Sequence, residues 1–299
     1  MSVPVEAPDA AHRVAATAAR VWGLPEPTPL RVSMNATFDC GEVVIRVGRP
    51  NAPAEVGLRL LDELAGCGVS VPVPMPLAPV RSDGLTAVAL RRIEVLDIPV
   101  DWRAVGSMAT RIHRIDPASL PDGYPIVDPR SLPWWDVAAL LDEVASSTAF
   151  DDLVDARSAR ALAGAVGRCR GWAEQLDGGA AVVCHGDLHP GNVVMTSGGP
   201  VLLDWDLMAH APALWDHVPL LAQLGPWGGD PEWYRCFAEG AGVDHSASDV
   251  AMRLAETRNL AATLMRIRSA LVDVGARREV AVRLAYWRGE PAAPRWTAV

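Results

Sequence analysis

Between residues 9 and 22, alanine, valine and tryptophan recur at helical spacing and the pattern stops at Gly23, which predicts a first helix. A proline-rich turn follows, and residues 30–47 read as two strands. The second, Glu42-Val-Val-Ile-Arg-Val47, sets Val43, Ile45 and Val47 against Glu42, Val44 and Arg46. That period of two marks a strand with one face in a core. Pro53 then opens a helix with the apolar stripe Val56, Leu60, Leu61 and Leu64, ending at Gly66 and Gly68. Two further strand-like runs, around Val71–Leu77 and Thr86–Leu90, are divided by the turn Arg81-Ser82-Asp83-Gly84. Strands, one helix and strands again predict a small sheet-bearing lobe.

Beyond about residue 97 the apolar period becomes that of helices. Asp101 stands where it would cap a helix reaching Ile115. Helical patterns follow at 134–147 and at 156–176, where Leu162, Val166, Cys169, Ala173 and Leu176 share a face. Short strands at 181–183 and 201–204 precede a helical stretch from Pro212 to about Arg288, interrupted at 225–229 and 240–245. The expected division is an N-lobe of residues 1–96, with a hinge at about 92–97, and a C-lobe of residues 97–299. A chain of 299 residues exceeds a typical single core, which agrees with two lobes.

Composition narrows the classes. Half the residues are apolar and 21% are charged, as in a soluble globular protein. A net charge of −9 argues against nonspecific nucleic-acid binding, because nothing here would neutralise a run of phosphates. The first nine residues carry neither a basic start nor an apolar core, so no secretory signal is expected. The longest uncharged stretch, Leu64 to Val80, holds four prolines and two glycines and is no membrane span. The five cysteines are scattered without a Cys-x-x-Cys pair, so the expected setting is a reducing cytoplasm. Cys184 reads as a small buried residue ending a strand. All 27 basic residues are arginine; the chain has no lysine.

The chemistry concentrates in His185-Gly186-Asp187-Leu188-His189-Pro190-Gly191-Asn192 and, after a strand-like Val201-Leu202-Leu203, in Asp204-Trp205-Asp206. A carboxylate, an amide and a second carboxylate around one loop suit phosphoryl transfer: one group for an acceptor hydroxyl, two oxygen ligands for Mg²⁺. Two other readings use the same residues. His185, Asp187 and His189 would share a face of a strand, as a hydrolytic zinc site requires, and Asp-Leu-His-Pro-Gly-Asn would also close a bare turn. The zinc reading leaves Asn192 and Asp204 unexplained.

The segment resembles the catalytic loop of the aminoglycoside phosphotransferase family, small-molecule kinases with a protein-kinase-like fold. The resemblance spans most of residues 30–220 and is most specific over 183–206. It implies an α+β, two-lobed fold with an antiparallel sheet and helix in the N-lobe and a larger, mainly helical C-lobe. It also implies that Asp187 is catalytic, that Asn192 and Asp204 ligate the metal, and that ATP or GTP is the donor. His185 is expected to brace the loop. Arg46 stands where protein kinases and many phosphotransferases carry a phosphate-binding lysine, with Glu55 as its preferred partner and Glu63 as the alternative. A generic surface ion pair is the other reading of Arg46. Ser33-Met-Asn-Ala-Thr-Phe38 occupies the place of the phosphate-covering loop without its glycines, so Asn35 and Thr37 are the candidates to touch phosphate. The backbone of Ile93, Glu94 and Val95, in the hinge begun by Arg92, is expected to bind the purine edge. Gly106-Ser-Met-Ala-Thr-Arg-Ile-His113 looks like the family's first C-lobe helix.

The expected acceptor is a hydroxyl on a small molecule. An antibiotic or related natural product leads; a sugar, amino alcohol or choline-like metabolite is the alternative, and a nucleotide-binding pseudokinase regulator is a third reading. From residue 211 onward the chain balances ten acidic residues with ten arginines, not the acidic wall a polycationic aminoglycoside calls for. Trp134, Trp135, Trp215, Trp227, Trp233 and Tyr234 are candidates to line a pocket, with core packing the expected role of most. No nucleic-acid or membrane partner is expected, and nothing separates monomer from dimer.

Overall fold

In the computed structural model, which describes residues 8–32 and 35–297, the alternation around Arg46 builds a five-stranded antiparallel sheet. Helix α1 (Pro8–Trp22) precedes strands β1 (Thr28–Val32), β2 (Ala36–Cys40) and β3 (Val43–Gly48), helix α2 (Ala54–Gly66), and strands β4 (Val80–Ser82) and β5 (Leu85–Arg91). The order in the sheet is β1-β2-β3-β5-β4. Val43, Ile45 and Val47 on β3, with Leu85, Ala87 and Ala89 on β5, are buried with Ala11, Val14, Ala15, Ala18 and Ala19 of α1. Small side chains on α1 let it approach closely, and each Val or Ile so buried contributes roughly 1.5–3 kcal/mol. The other face of the sheet carries Val44 and Arg46 on β3 and Val88 and Leu90 on β5. These residues line cavities rather than core.

Residues 28–48 form three strands where the sequence pattern gave two, because Ala36–Cys40 pairs with both β1 and β3. Ser33 and Met34 of the expected phosphate loop lie outside the described residues, as do residues 1–7. Val71–Leu77 is not a strand. Pro72, Pro74 and Pro76 lack donors, and the segment keeps only single links such as Met75 N–H to the Ala89 carbonyl at 3.0 Å. The turn before β5 is as expected, with Asp83 and Gly84 both at positive φ, the twist a two-residue hairpin needs.

By packing, the chain falls into two units. One comprises residues up to Asp101 with Thr110–Ile126 and Gly191–Met208; the other comprises Trp102–Ala109, Val127–Pro190 and the chain from Ala209. The 191–208 strip, carrying Asn192 and Asp204, therefore packs with the first sheet although it is remote in sequence.

Helix α3 (Trp102–Ile112) begins just after Asp101 and stops short of Ile115. In the second unit α4 (Val137–Ala145), α5 (Phe150–Leu153) and α6 (Ala156–Cys169) lead to strand β6 (Ala181–Cys184). The expected helix to residue 176 breaks after Cys169, where Gly171 takes a positive φ. Strands β7 (Val193–Thr196) and β8 (Gly199–Leu202) belong to the first unit, and β9 (Ala209–Pro212) pairs with β6. Helices α7 (Val218–Gln223), α8 (Pro231–Ala241), α9 (Asp249–Ala270) and α10 (Arg277–Trp287) complete the second unit. Its centre is α9, whose Leu260, Leu264 and Ile267 pack with Leu140 and Val144 of α4, Leu162 and Val166 of α6, and Val280 and Leu284 of α10. Trp135 stacks with Trp172 and Trp215 at ring separations of 5.0 and 4.6 Å, so two of the flagged tryptophans and their neighbour are core. Among the described residues no helix is long and apolar enough to cross a membrane.

Candidate active site

The sequence-predicted residues fall into two clusters, one in each unit. In the first unit the β7–β8 hairpin does the positioning. Its turn is closed by Thr196, whose hydroxyl donates to the Gly199 carbonyl at 2.8 Å and accepts the Gly198 N–H at 3.1 Å. Val193 pairs with Leu202, and Leu203 N–H donates to the Asn192 carbonyl at 2.8 Å. That register brings Asn192 and Asp204 to the open end of the hairpin. Leu202 N–H donates to the Ser70 carbonyl and Leu96 N–H to the Met195 carbonyl, which ties the hairpin to this unit.

Asp204 takes a left-handed backbone conformation (φ 58°), which aspartate tolerates better than most residues but at some strain. The neighbouring Asp206 receives Arg46 Nη2 at 2.8 Å, and Asp204 lies 3.6 Å from the same nitrogen. Asn35 Nδ2 donates to Asp206 Oδ2 at 3.3 Å, and Asn51 Nδ2 to its carbonyl at 3.0 Å. The Tyr124 hydroxyl donates to the Trp205 carbonyl at 2.9 Å; burial, and Asp206 after it, push that phenol well above its usual range, so it stays a donor. Asn192 and Asp204 share a cleft of about 1020 Å³ with Asn35, Thr37, Arg46 and the Ile93–Val95 segment. All of the expected nucleotide and metal residues except Glu55 thus line one cavity.

Glu55 is the correction. It accepts two hydrogen bonds from Arg81, at 2.6 and 2.8 Å, in an exposed pair that lowers its pKa. Glu63 is exposed as well. Arg46 draws its counter-charge from Asp206 because its strand faces the cleft, whereas the first turn of α2 presents Glu55 to β4.

In the second unit the loop after β6 carries Asp187. Gly186 needs its positive φ (83°) for the turn. The buried Asp216 carboxylate accepts Gly186 N–H at 2.7 Å and His185 N–H at 3.1 Å. His185 is fully buried, and its Nδ1 accepts the Asp187 N–H at 3.2 Å, a bracing contact. Cys184 is buried beneath them, and burial, with Asp216 nearby, keeps its thiol protonated.

The Asp187 side chain is bonded by Arg258 Nη2 through Oδ1, and His189 Nε2 lies 3.5 Å from Oδ2. Burial raises the carboxyl pKa, but the charge of Arg258, and after it that of His189, overrides the effect and holds Asp187 well below the usual carboxylate range. A guanidinium on this carboxylate is a poor neighbour for a zinc ion, which argues against the hydrolytic reading.

Arg258, Asp206, Asp216 and Tyr124 were not flagged by the sequence. Asp206 had a signal, as the second acid of Asp-Trp-Asp. Arg258 had almost none, lying 71 residues from its partner.

One cluster gathers a cation and oxygen donors in a cleft beside a five-stranded sheet, the other holds an ionised carboxylate on a braced loop in a helical unit, and together they have the make-up of a kinase-like phosphotransferase. A sequence profile of the phosphotransferase enzyme family known as APH matches residues 37–254, and the chain belongs to that family. No curated protein matches significantly. Among solved structures, spectinomycin phosphotransferase APH(9)-Ia with ADP and spectinomycin is 17% identical over 89% of each chain, with a TM-score of 0.62. Amicoumacin kinase hAmiN with AMP-PNP and Ca²⁺ is 10% identical over 97% of each chain, with a TM-score of 0.66. A choline/ethanolamine kinase family protein from Mesorhizobium loti is 17% identical over 94% of this chain and 93% of that one, with a TM-score of 0.62. At these identities the likeness is one of fold.

Proposed function

We propose that the protein moves the γ-phosphoryl group of ATP or GTP to a hydroxyl of a small molecule in the cytoplasm, with an antibiotic or related natural product as the leading acceptor. The observation that carries this reading is the β7–β8 register, which presents Asn192 and Asp204 to the same cleft as Arg46 and the Ile93–Val95 backbone. Ile93, Glu94 and Val95 offer backbone groups to the purine edge. Arg46 offers a permanent charge and a planar donor fork to the phosphates, and Asn35 and Thr37 stand on the same face. Asn192 and Asp204 are oxygen donors of the kind a magnesium ion takes, so the residues fit the metal. When bound, the ion offsets charge on the phosphates.

Asp187 accepts the hydrogen bond of the acceptor hydroxyl and aims its oxygen at the γ-phosphorus. A new oxygen–phosphorus bond forms, the bond to the leaving diphosphate breaks, and the hydroxyl proton leaves late by way of Asp187. A carboxylate held so firmly ionised is a weak base, so orientation is its main contribution.

One observation supports a less charged, metabolite-like acceptor as the second reading. Of the acids beyond residue 211, Glu232 and Glu239 are bonded by Arg235, Glu256 by Arg168, Glu279 by Arg283 and Glu290 by Arg288. Their charge is neutralised in place rather than offered to a polycation. The test is a γ-phosphate-transfer screen of hydroxylated antibiotics and metabolites with ATP and with GTP. Phosphorylation of a hydroxyl compound supports the proposal; nucleotide binding without transfer to anything would favour the regulator instead.

A further inference from the structure

We infer that Arg258 selects the acceptor: its guanidinium, seated on the Asp187 carboxylate, admits hydroxyl compounds that are neutral or carry an acid group beside the reacting hydroxyl and disfavours those carrying an ammonium there. The inference rests on the phosphotransferase reading and specifies its substrate class.

Arg258 sits at the middle of α9, the helix at the centre of its unit. Leu254 and Ala261, one turn away on either side, are buried, so its face is one where an apolar side chain packs. A guanidinium in that place is unfavourable unless it is paired. Its partner is Asp187, and the two side chains are only 24% and 16% exposed. The root of Arg258 cannot drift. On one side Thr257 is buried and bonded to the Arg253 carbonyl at 2.8 Å. On the other, Asn259 accepts from Trp227 Nε1 at 2.9 Å and donates to the Ala222 carbonyl at 3.2 Å. The cation is therefore a fixed part of the surroundings of the carboxylate.

An unpaired aspartate would attract an ammonium placed next to the hydroxyl it binds. Here the pair is neutral, and His189 stands on the other carboxylate oxygen. An incoming ammonium loses the attraction that a bare carboxylate would give and, where it lies nearer the guanidinium than the carboxylate, meets a net like charge in a partly desolvated place; at an effective dielectric near 20 the difference is about tenfold in binding or more. A carboxylate or phosphate on the acceptor meets a guanidinium with donors to spare, since Asp187 engages only one of its five N–H groups through Nη2.

The experiment uses the full chain with Mg²⁺ and labelled ATP, and matched probes differing in the group next to the hydroxyl: glucosamine, glucose and glucuronic acid, then ethanolamine, ethylene glycol and glycolate. Wild type is expected to transfer to neutral or acid members with kcat/KM at least about tenfold above their ammonium analogues. Arg258→Met should bring the gap below about threefold, and Arg258→Lys, which keeps the charge, should keep the ranking at a lower rate. The lysine variant covers the case in which the methionine variant does not fold. Preference of the wild type for the ammonium probes, an equal loss on all probes in Arg258→Met, or a collapse of the ranking in Arg258→Lys overturns the inference and leaves Arg258 a structural counter-ion. ATP binding with transfer to some other hydroxyl compound but to none of these probes also counts against it. Failure to bind ATP strikes at the phosphotransferase reading instead.

Discussion

Arg46 and Arg258 each bond an aspartate from the same short stretch of chain, and they are held in opposite ways. Arg46 projects from an alternating strand into an open cleft, where Asp206, Asp204, Asn35 and Asn51 form a polar lining around it. Arg258 rises from a helix packed on most sides, fixed by its neighbours, and closes on one carboxylate. The first arrangement suits a cation that must meet an incoming anion. The second suits a cation that defines its surroundings in advance. Two ion pairs of the same chemistry thus differ in how freely they meet their surroundings because of the element that carries them.

The largest effects are expected on the cleft side. Asp204→Ala is expected to weaken Mg²⁺-dependent nucleotide binding by about a hundredfold or more, measured by calorimetry with and without the metal. Undiminished affinity would remove Asp204 from the metal site. Asp206→Asn leaves Arg46 without its nearest charge and should raise the nucleotide KM about tenfold, the size of one charge-assisted bond. Glu55→Gln should move it less than about twofold, because exposed pairs contribute little. The reverse ranking would restore Glu55 as the partner of Arg46. Arg46→Lys keeps the charge but loses the fork, and a rise of about fivefold in nucleotide KM is expected.

On the helix side the expected effect is smaller and reads out in stability. Arg258→Met should cost about 1–3 kcal/mol, between the values for exposed and for buried pairs, by denaturant unfolding at pH 7. The pH dependence has a definite sign. The folded Asp187 carboxyl lies below its unfolded value, so its stabilisation is full above about pH 4 and fades as the pH falls further. Arg258, His189 and His185 are the charged or titratable groups that set this shift. In Arg258→Met that acid-side loss should shrink, and an unchanged acid profile would show that Arg258 is not what holds Asp187 ionised.

How much of this was legible in the sequence follows from distance along the chain. The alternation of Val43, Ile45 and Val47 revealed the sheet face and put Arg46 on the other, because both facts are local. Asn192 and Asp204 could be expected at one end of a hairpin because one short turn fixes their spacing, and Asp187 stood out through the local His-Gly-Asp run alone. The proline run at 72–76 misled, since the apolar residues Val71, Val73, Met75 and Leu77 that alternate with the prolines look like a strand until the missing donors are counted. Arg258 was invisible: nothing near it in sequence refers to residue 187, and an arginine on a mixed helix looks like any solvated one. Glu55 was misassigned for the same reason in reverse, because the competing partner Arg81 sits in a hairpin 26 residues further on.

The central claim is that Asp187 orients the acceptor for transfer without holding the nucleotide. It is tested most directly by γ-phosphate transfer from ATP, with ATP affinity measured in the same preparation, for wild type and Asp187→Asn. Turnover should fall about a thousandfold while ATP affinity stays within about twofold. Turnover equal to wild type would contradict the account.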